Sequence, residues 1–193
     1  MFNLIDMNNR VILGSSSPRR AELLKANNID FEIVASEYVE VIEQDLLPQN
    51  IVLKLALGKG LEVSDRYPEE VIVSADTIVV FKNHKLGKPD NYLELKQWLN
   101  SFSGNVVDIW TATVVIKNSQ VFAQADKAQV RFKSLSNTII EQYLSDPEAD
   151  WMDKAGGFAV QGKASDMVEY DRKSYNIILG LNTEFVLRHT HLK

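Results

Sequence analysis

The sequence predicts an α/β layered fold that contains a mixed β-sheet. Strand-like and helix-like segments alternate along the chain, which is typical of helices packed on a sheet. The segment EEVIVSADTIVVF is nearly continuous in Val and Ile, as expected of a central strand buried on both faces. Two long β-branched runs, VVDIWTATVVI and QVFAQADKAQVRF, are separated only by Asn118 and Ser119 and predict an antiparallel hairpin.

The first half of the chain predicts two strand and helix pairs. RVILGSS is a short strand that ends at Gly14, and Ser17 then caps a helix with Pro18 at its first position. FEIVAS predicts the second strand, and a helix follows through QNIVLKLALGKGLEVSD. Gly58 and Gly60 weaken that helix by about 1 kcal/mol each.

The second half continues the alternation. HKLGKPD predicts a turn, Asp90 caps the helix NYLELKQWLNSF, and Ser136 caps the helix NTIIEQYLSD. DKAGGFAVQGKASD predicts a glycine-bearing loop and a short strand, MVEYD another strand, and NTEFVLRHT a closing helix. We interpret His189 and His191 in the run HTH as part of a frayed chain end rather than a metal site.

Composition and charge narrow the class of protein. At 193 residues, 45% hydrophobic and 24% charged, the chain predicts one globular domain over residues 1–193. A net charge of -5 argues against general nucleic-acid binding, so an anionic ligand would need a local basic site. The absence of cysteine excludes disulfides and thiolate zinc sites. MFNLIDMNNRVIL lacks a secretory pattern and no long apolar run follows, so we expect a cytoplasmic protein without a membrane partner.

The stretch GSSSPRRAELL predicts an anion site at the start of a helix. A helix start exposes about four unpaired N–H groups and carries a partial positive charge. Serine hydroxyls and arginine guanidinium groups add oriented donors for phosphate oxygens. The alternative is a plain capped helix with solvated arginines. The candidate phosphate ligands are Ser15, Ser17, Arg19 and Arg20.

Asp76 is the strongest catalytic candidate. A carboxylate inside VIVSADTIVV cannot stay ionised in a sheet core without a metal ion or a cationic partner. We place it at the carboxyl end of a central strand, where open α/β sheets bind ligands. The alternative is a structural aspartate that caps a helix or pairs with a lysine.

Three lysines lie beside glycine in short polar breaks: Lys59, Lys88 and Lys154. Each alone is more typical of solvated surface, but together they would neutralise a polyphosphate. Glu40, in the acidic segment SEYVEVIEQD, would share a divalent ion with Asp76 if the substrate were a nucleoside triphosphate. Composition alone favours a solvated acidic loop there.

Other residues and missing motifs bear on substrate and mechanism. Gln161, in AVQGK, has an amide able to read a base edge, although an isolated glutamine is usually polar surface. There is no Walker or dinucleotide glycine loop, no cysteine nucleophile and no G-x-S-x-G. Metal-assisted attack by water is the simplest remaining chemistry.

Taken in order, SSSPRRAELL, SADTIVV, LGKP, KAGGFAVQG and SYNIILGL resemble the Maf family, also called septum formation proteins. The resemblance covers nearly the whole chain. It implies an elongated mixed sheet with a central cleft, similar to inosine triphosphate pyrophosphatases, and hydrolysis of a nucleoside triphosphate to monophosphate and pyrophosphate with Mg²⁺ or Mn²⁺. A homodimer is common in folds of this kind, so the resemblance is compatible with a homodimer.

The resemblance also assigns roles to residues. Asp76 falls on the family's proposed proton acceptor and Glu40 on a motif acid. The specificity positions are Arg19, Thr77 and Gln161, which match the branch that hydrolyses dTTP and UTP. The alternatives are a 7-methyl-GTP pyrophosphatase and a non-catalytic nucleotide-binding regulator of septum formation. The phosphate-binding loop and the family's lysines correspond to Ser15, Ser17, Arg19, Arg20, Lys59, Lys88 and Lys154.

Four positions depart from the family pattern. Ala164 and Ser165 replace a glycine pair, Lys173 replaces a glycine, and Asn182 replaces the proline of G-L-P. All four lie outside the phosphate motifs, so we expect them to affect loop geometry, efficiency and base preference more than the class of reaction.

Overall fold

One mixed sheet of seven strands organises residues 10–190, the part of the chain that the computed structural model describes. The expectation about a secretory pattern, which rests partly on residues 1–9, and the interpretation of His191 fall outside this range. The strands are β1 (Val11–Leu13), β2 (Phe31–Ile33), β3 (Val71–Phe81), β4 (His84–Leu86), β5 (Val106–Lys117), β6 (Gln120–Phe132) and β7 (Val168–Tyr170).

The strand order β2-β1-β3-β5-β6-β7 confirms the predicted mixed sheet. β1 pairs in parallel with both β2 and β3, whereas β3, β5, β6 and β7 follow one another in antiparallel pairs. β4, predicted as part of a turn, adds a short antiparallel partner to the far end of β3. The predicted hairpin is confirmed: Asn118 and Ser119 both have positive φ (50° and 61°), as a tight two-residue turn requires.

Six helices in the described range flank this sheet, and the segment before β7 forms short 3-10 turns. The expected short strand there is wrong, because the extended backbone at Phe158 pairs with no neighbouring strand of the described chain. The helix cap predicted at Asp90 belongs to Asn91, whose side chain accepts from the Glu94 backbone N–H. The helices are α1 (Pro18–Ala26), α2 (Pro48–Arg66), α3 (Tyr92–Phe102), α4 (Asn137–Ser145), α5 (Tyr175–Leu179) and α6 (Thr183–Thr190).

The two glycines of α2 have a packing role that explains why the helix runs through them. A Cβ atom on Gly60 would lie 2.6 Å from Ser74 Oγ, and one on Gly58 would lie 2.4 Å from the Tyr38 ring. Ser74 Oγ donates to the Ala56 carbonyl at 2.8 Å. The glycines lower the helix propensity of α2, and the missing side chain of Gly60 lets the helix pack closely against β3.

Alternate residues of β3 face two different layers. Ile72 and Ile78 pack under α2, while Val73 and Val79 belong to the larger core on the other face. The same alternation separates the polar residues of the strand. Asp76 points towards α2, and its neighbour Thr77 points to the opposite face, where α5 lies.

The closing helix α6 is confirmed, but the interpretation of His189 as part of a frayed end is wrong. Its ring packs between Phe122 and Phe185, with centroid distances of 4.5 and 4.3 Å. Asn182, where the family pattern has proline, caps α6 by accepting from the Phe185 N–H. No helix within residues 10–190 combines the length and apolar character needed to cross a bilayer.

Candidate functional site

A cleft of about 310 Å³ opens over β3. Its walls come from the loop before α1, the loop before α2, α2 itself, the turn after β4, the 3-10 turns and α5. Residues distant in the sequence therefore meet at one place. The cleft brings together nine of the predicted site residues: Ser15, Ser17, Arg19, Arg20, Glu40, Lys59, Asp76, Thr77 and Lys88.

Two predicted site residues lie outside the cleft lining within residues 10–190. The ammonium of Lys154 pairs with the carboxylate of Asp150 at 3.0 Å. The Gln161 amide donates to the Tyr175 hydroxyl at 2.8 Å. Their assigned roles in substrate binding stay predictions.

Asp76 lies in the middle of β3 rather than at its carboxyl end. It is the sixth of the strand's eleven residues, so the predicted placement is wrong. The parallel neighbour β1, however, ends at Leu13, opposite Val73. Because β3 continues beyond this point, Asp76 lies in the gap past the end of β1, and the cleft occupies that gap.

Asp76 is only 4% exposed as a residue, and its carboxylate has a cationic partner. Lys59 Nζ lies 2.6 Å from Asp76 Oδ1 and 2.8 Å from Glu40 Oε1. Burial raises the pKa of Asp76, and the charges of Lys59 and Arg20 oppose that rise. The requirement that a buried carboxylate find a partner is met by a lysine that two acids share.

Arg20 is buried and held by neutral acceptors. Its Nε donates to the Gly180 carbonyl at 2.8 Å, Nη1 to Ser15 Oγ at 2.9 Å, and Nη2 to Thr77 Oγ1 at 3.3 Å. Burial lowers the pKa of this guanidinium, and the Asp76 charge opposes the effect. In the described chain three of its five N–H groups are thus bonded, and two are left for a ligand.

The serines at the start of α1 are arranged as donors. Ser15 Oγ accepts from Arg20 Nη1 and from the Ser17 N–H, so its own hydroxyl proton stays free for an acceptor in the cleft. Pro18 is at the first helical position, as predicted, but the Ser17 hydroxyl makes no capping bond. Within residues 10–190 the first turn of α1 is thus left without a side-chain cap, as an anion site at a helix start requires.

Three residues of the site had no place in the sequence-based predictions. Asp153 lines the cleft and pairs with Lys88, which lowers the pKa of the Asp153 carboxyl. Gly180 supplies the carbonyl that holds Arg20. Thr111, fully buried on β5, bonds to Thr77 and to the Ile177 carbonyl. The available signal for Thr111 was a threonine that interrupts a buried apolar strand.

The charge of the cleft differs from that of the whole chain. Four basic side chains line it against three acidic ones, whereas the chain carries a net charge of -5. The expected local basic site is present. The four basic residues are Arg19, Arg20, Lys59 and Lys88, and the three acids are Glu40, Asp76 and Asp153.

The predicted metal ligands fit a hard divalent cation only in part. Glu40 and Asp76 both contact Lys59 Nζ, so their oxygens converge within reach of one cation. Carboxylate oxygens suit Mg²⁺ and Mn²⁺. Within residues 10–190 no group of three or more His, Cys, Asp or Glu residues is placed to hold an ion. A cation held here would need ligand oxygens and water in addition.

The sequence matches a known family. A family profile described as Maf-like protein covers residues 10–191. The chain belongs to the Maf-like family. A relative from Bacillus mycoides (strain KBAB4), named dTTP/UTP pyrophosphatase, is 36% identical over 172 residues, which cover 89% of each chain. A Bacillus cereus (strain ATCC 10987 / NRS 248) protein of the same name is 35% identical over 179 residues, covering 93% of this chain and 87% of its own.

Proposed function

We propose that the protein is a nucleoside triphosphate pyrophosphatase that hydrolyses dTTP and UTP to the monophosphate and pyrophosphate. Membership of the Maf-like family and the names of the Bacillus relatives support the class of reaction and the substrates. The observation that carries the proposal is the buried Asp76 carboxylate, which faces a cleft lined by four basic side chains.

The phosphates lie, in this proposal, along the start of α1. Arg20 has two N–H groups left and Ser15 one hydroxyl proton, and both residues are fixed by bonds to their neighbours. Arg19 and Lys88 add charge from the cleft wall. Fixed donors of this kind stabilise the charge that develops as pyrophosphate leaves.

Asp76 accepts the proton of the attacking water. Its burial makes the carboxylate a stronger base than an exposed aspartate, and Lys59 at 2.6 Å supports its ionised form. Glu40 and Asp76 would hold a Mg²⁺ or Mn²⁺ ion, and the ion would neutralise charge on the phosphate oxygens. Lys59 keeps its bond to Asp76 and exchanges its bond to the exposed Glu40 for a bond to phosphate.

The nucleobase is assigned to Arg19, Thr77 and Gln161, the three specificity positions. An uncharged glutamine suits the imide of thymine or uracil. Lys154 is assigned to the phosphates, which would require it to leave Asp150. We also propose a cytoplasmic location. Light scattering of the purified protein measures its molecular mass and so tests whether it forms a homodimer.

A substrate panel tests the function. Purified protein with Mg²⁺ or Mn²⁺ is given dTTP, UTP, CTP, ATP, GTP and 7-methyl-GTP, and pyrophosphate release is followed. We expect the highest kcat/KM for dTTP and UTP. A higher value for 7-methyl-GTP would favour the other branch, and nucleotide binding without turnover of any substrate would favour a regulator. Either result would contradict the proposal.

A further inference from the structure

We propose that Thr111, which does not line the cleft, is a positioning residue that orients Arg20 through the hydroxyl of Thr77. The inference rests on the proposed function, because Arg20 is taken as a ligand of the phosphates. It adds a residue on a different strand, β5, to the machinery on β3 and α1.

The direction of the hydrogen bonds follows from a single carbonyl. Thr111 Oγ1 lies 2.8 Å from the Ile177 carbonyl oxygen, which has no proton and can only accept. A hydroxyl has one proton, so the Thr111 hydroxyl donates its single hydrogen bond to the Ile177 carbonyl. The 3.0 Å contact between the two threonine hydroxyls then requires Thr77 to donate and Thr111 to accept.

Thr77 is thereby left as an acceptor on its other side. Arg20 Nη2 donates to this oxygen at 3.3 Å, so the bonds run in one direction from Arg20 through Thr77 and Thr111 to Ile177. Thr77 and Thr111 are directly opposite in the β3 and β5 register. Thr111 is 0% exposed, so water does not replace either of its partners.

Both ends of this path reach the same short piece of backbone. Ile177 lies in α5, and Gly180, just after the helix, accepts from Arg20 Nε at 2.8 Å. The guanidinium is therefore held at two nitrogens by a frame that contains no ionised partner. Loss of the Thr111 hydroxyl would leave the Thr77 proton without an acceptor. The Thr77 hydroxyl would then rotate, and its proton would point at the N–H group of Arg20 Nη2 and repel it.

Thr113 offers a matched control on the same strand. It lies two residues further along β5, on the same face, and is also 0% exposed. Its hydroxyl accepts from the Asn182 N–H at 2.9 Å. Among residues 10–190 its hydrogen bonds do not lead to Arg20. Thr113→Val therefore removes an equally buried hydroxyl without touching the path.

The experiment compares Thr111→Val, Thr111→Ser and Thr113→Val in UTP hydrolysis with Mg²⁺. We expect Thr111→Val to lower kcat by at least about tenfold with a smaller change in KM, as for a weakened bond to a charged group in the transition state. Thr111→Ser keeps the hydroxyl and should stay within about threefold of the unmodified protein. Thr113→Val should do the same, at a similar unfolding temperature.

Equal kcat for the two valine variants, or no rescue by Thr111→Ser, would overturn the inference. If Thr111→Val does not fold, Thr111→Ala and Thr113→Ala give the same comparison. An unmodified protein that hydrolyses no nucleotide would instead contradict the proposed function. Calorimetry with inorganic tripolyphosphate then tests the inference alone, because Thr111→Val should bind it more weakly and Thr111→Ser and Thr113→Val should not.

Discussion

Two neighbouring residues of β3 lead into two different kinds of polar environment. On the α2 face, Asp76 is bonded to Lys59, which is bonded in turn to the exposed Glu40. On the α5 face, Thr77 is bonded to Thr111 and Arg20, and these end on backbone carbonyls. One side consists of ionised side chains, and the other of neutral, directional bonds.

The ionised groups on the α2 face are able to exchange partners, whereas the neutral bonds on the α5 face hold Arg20 in one orientation. An ammonium between two carboxylates has non-directional bonds, so a cation or a phosphate is able to replace a partner at modest cost. A guanidinium held by a carbonyl and two hydroxyls keeps one orientation before and after ligand binding. The proposed reaction needs both: partner exchange where the proton moves, and fixed donors where charge develops.

The largest expected effect comes from the ionised side. Asp76→Asn removes the proton acceptor, and we expect kcat for UTP to fall by at least about 1,000-fold while nucleotide binding persists. Burial raises the pKa of Asp76, so the folded protein disfavours the charged form and this carboxylate lowers stability at neutral pH. The free energy of unfolding should therefore fall as the pH rises past the ordinary aspartate pKa, and Asp76→Asn should remove this part of the pH dependence. Residual kcat within tenfold of the unmodified protein would contradict this role, and an unchanged pH dependence of unfolding would contradict the raised pKa.

The next effect tests the fixed side. Gly180 has φ +102°, and a Cβ there would lie 2.9 Å from Thr77 Oγ1 and 3.3 Å from Arg20 Nε. Gly180→Ala should lower kcat/KM by about 10- to 100-fold because it displaces the frame around Arg20. Gly104→Ala is the control: φ is +72°, and the nearest atom to the added Cβ, Ser134 Oγ, lies 4.0 Å away. Both variants should lose about 1–2 kcal/mol of stability, and equal activity would contradict the assignment.

A smaller effect is expected at the exposed rim. The carboxylate of Asp153 forms an ion pair with Lys88, which lines the cleft. Asp153→Asn should therefore free this lysine for the substrate and lower KM by about two- to threefold. Asp108→Asn frees Lys127 in the same way, and Lys127 does not line the cleft. Steady-state kinetics on both variants test this. An unchanged KM for Asp153→Asn, or a fall of the same size for Asp108→Asn, would show that Lys88 has no special position.

Local patterns predicted much of the fold. The continuous β-branched run of β3, the Asn118-Ser119 turn and the Ser136 cap each depend on neighbours in the sequence, and all three are confirmed. The shift of the cap from Asp90 to Asn91 is a difference of one residue between two good capping residues. The segment before β7 forms 3-10 turns rather than a strand because β7, and not this segment, pairs with β6. Local composition does not indicate which of the two segments will pair.

The predicted part of the site consists of motif residues, and the residues that were missed act through contacts distant in the sequence. Asp76 was found because a buried charge needs a partner, whereas Arg20 was found from the motif SSSPRR and Lys59 from its place beside glycine in a polar break. Thr111 and Gly180 were not, because a threonine in a strand and a glycine after a helix have ordinary structural roles. Their part in the site depends on contacts across 34 residues for Thr77 and Thr111 and 160 for Arg20 and Gly180.

The bond that is cleaved tests the central claim most directly. UTP is incubated with the protein and Mg²⁺, and ³¹P NMR follows the products. We expect UMP and pyrophosphate in equal amounts from the first turnovers, with no UDP, and no products with Asp76→Asn. UDP and inorganic phosphate as the first products would contradict the assignment of this cleft as a pyrophosphatase site.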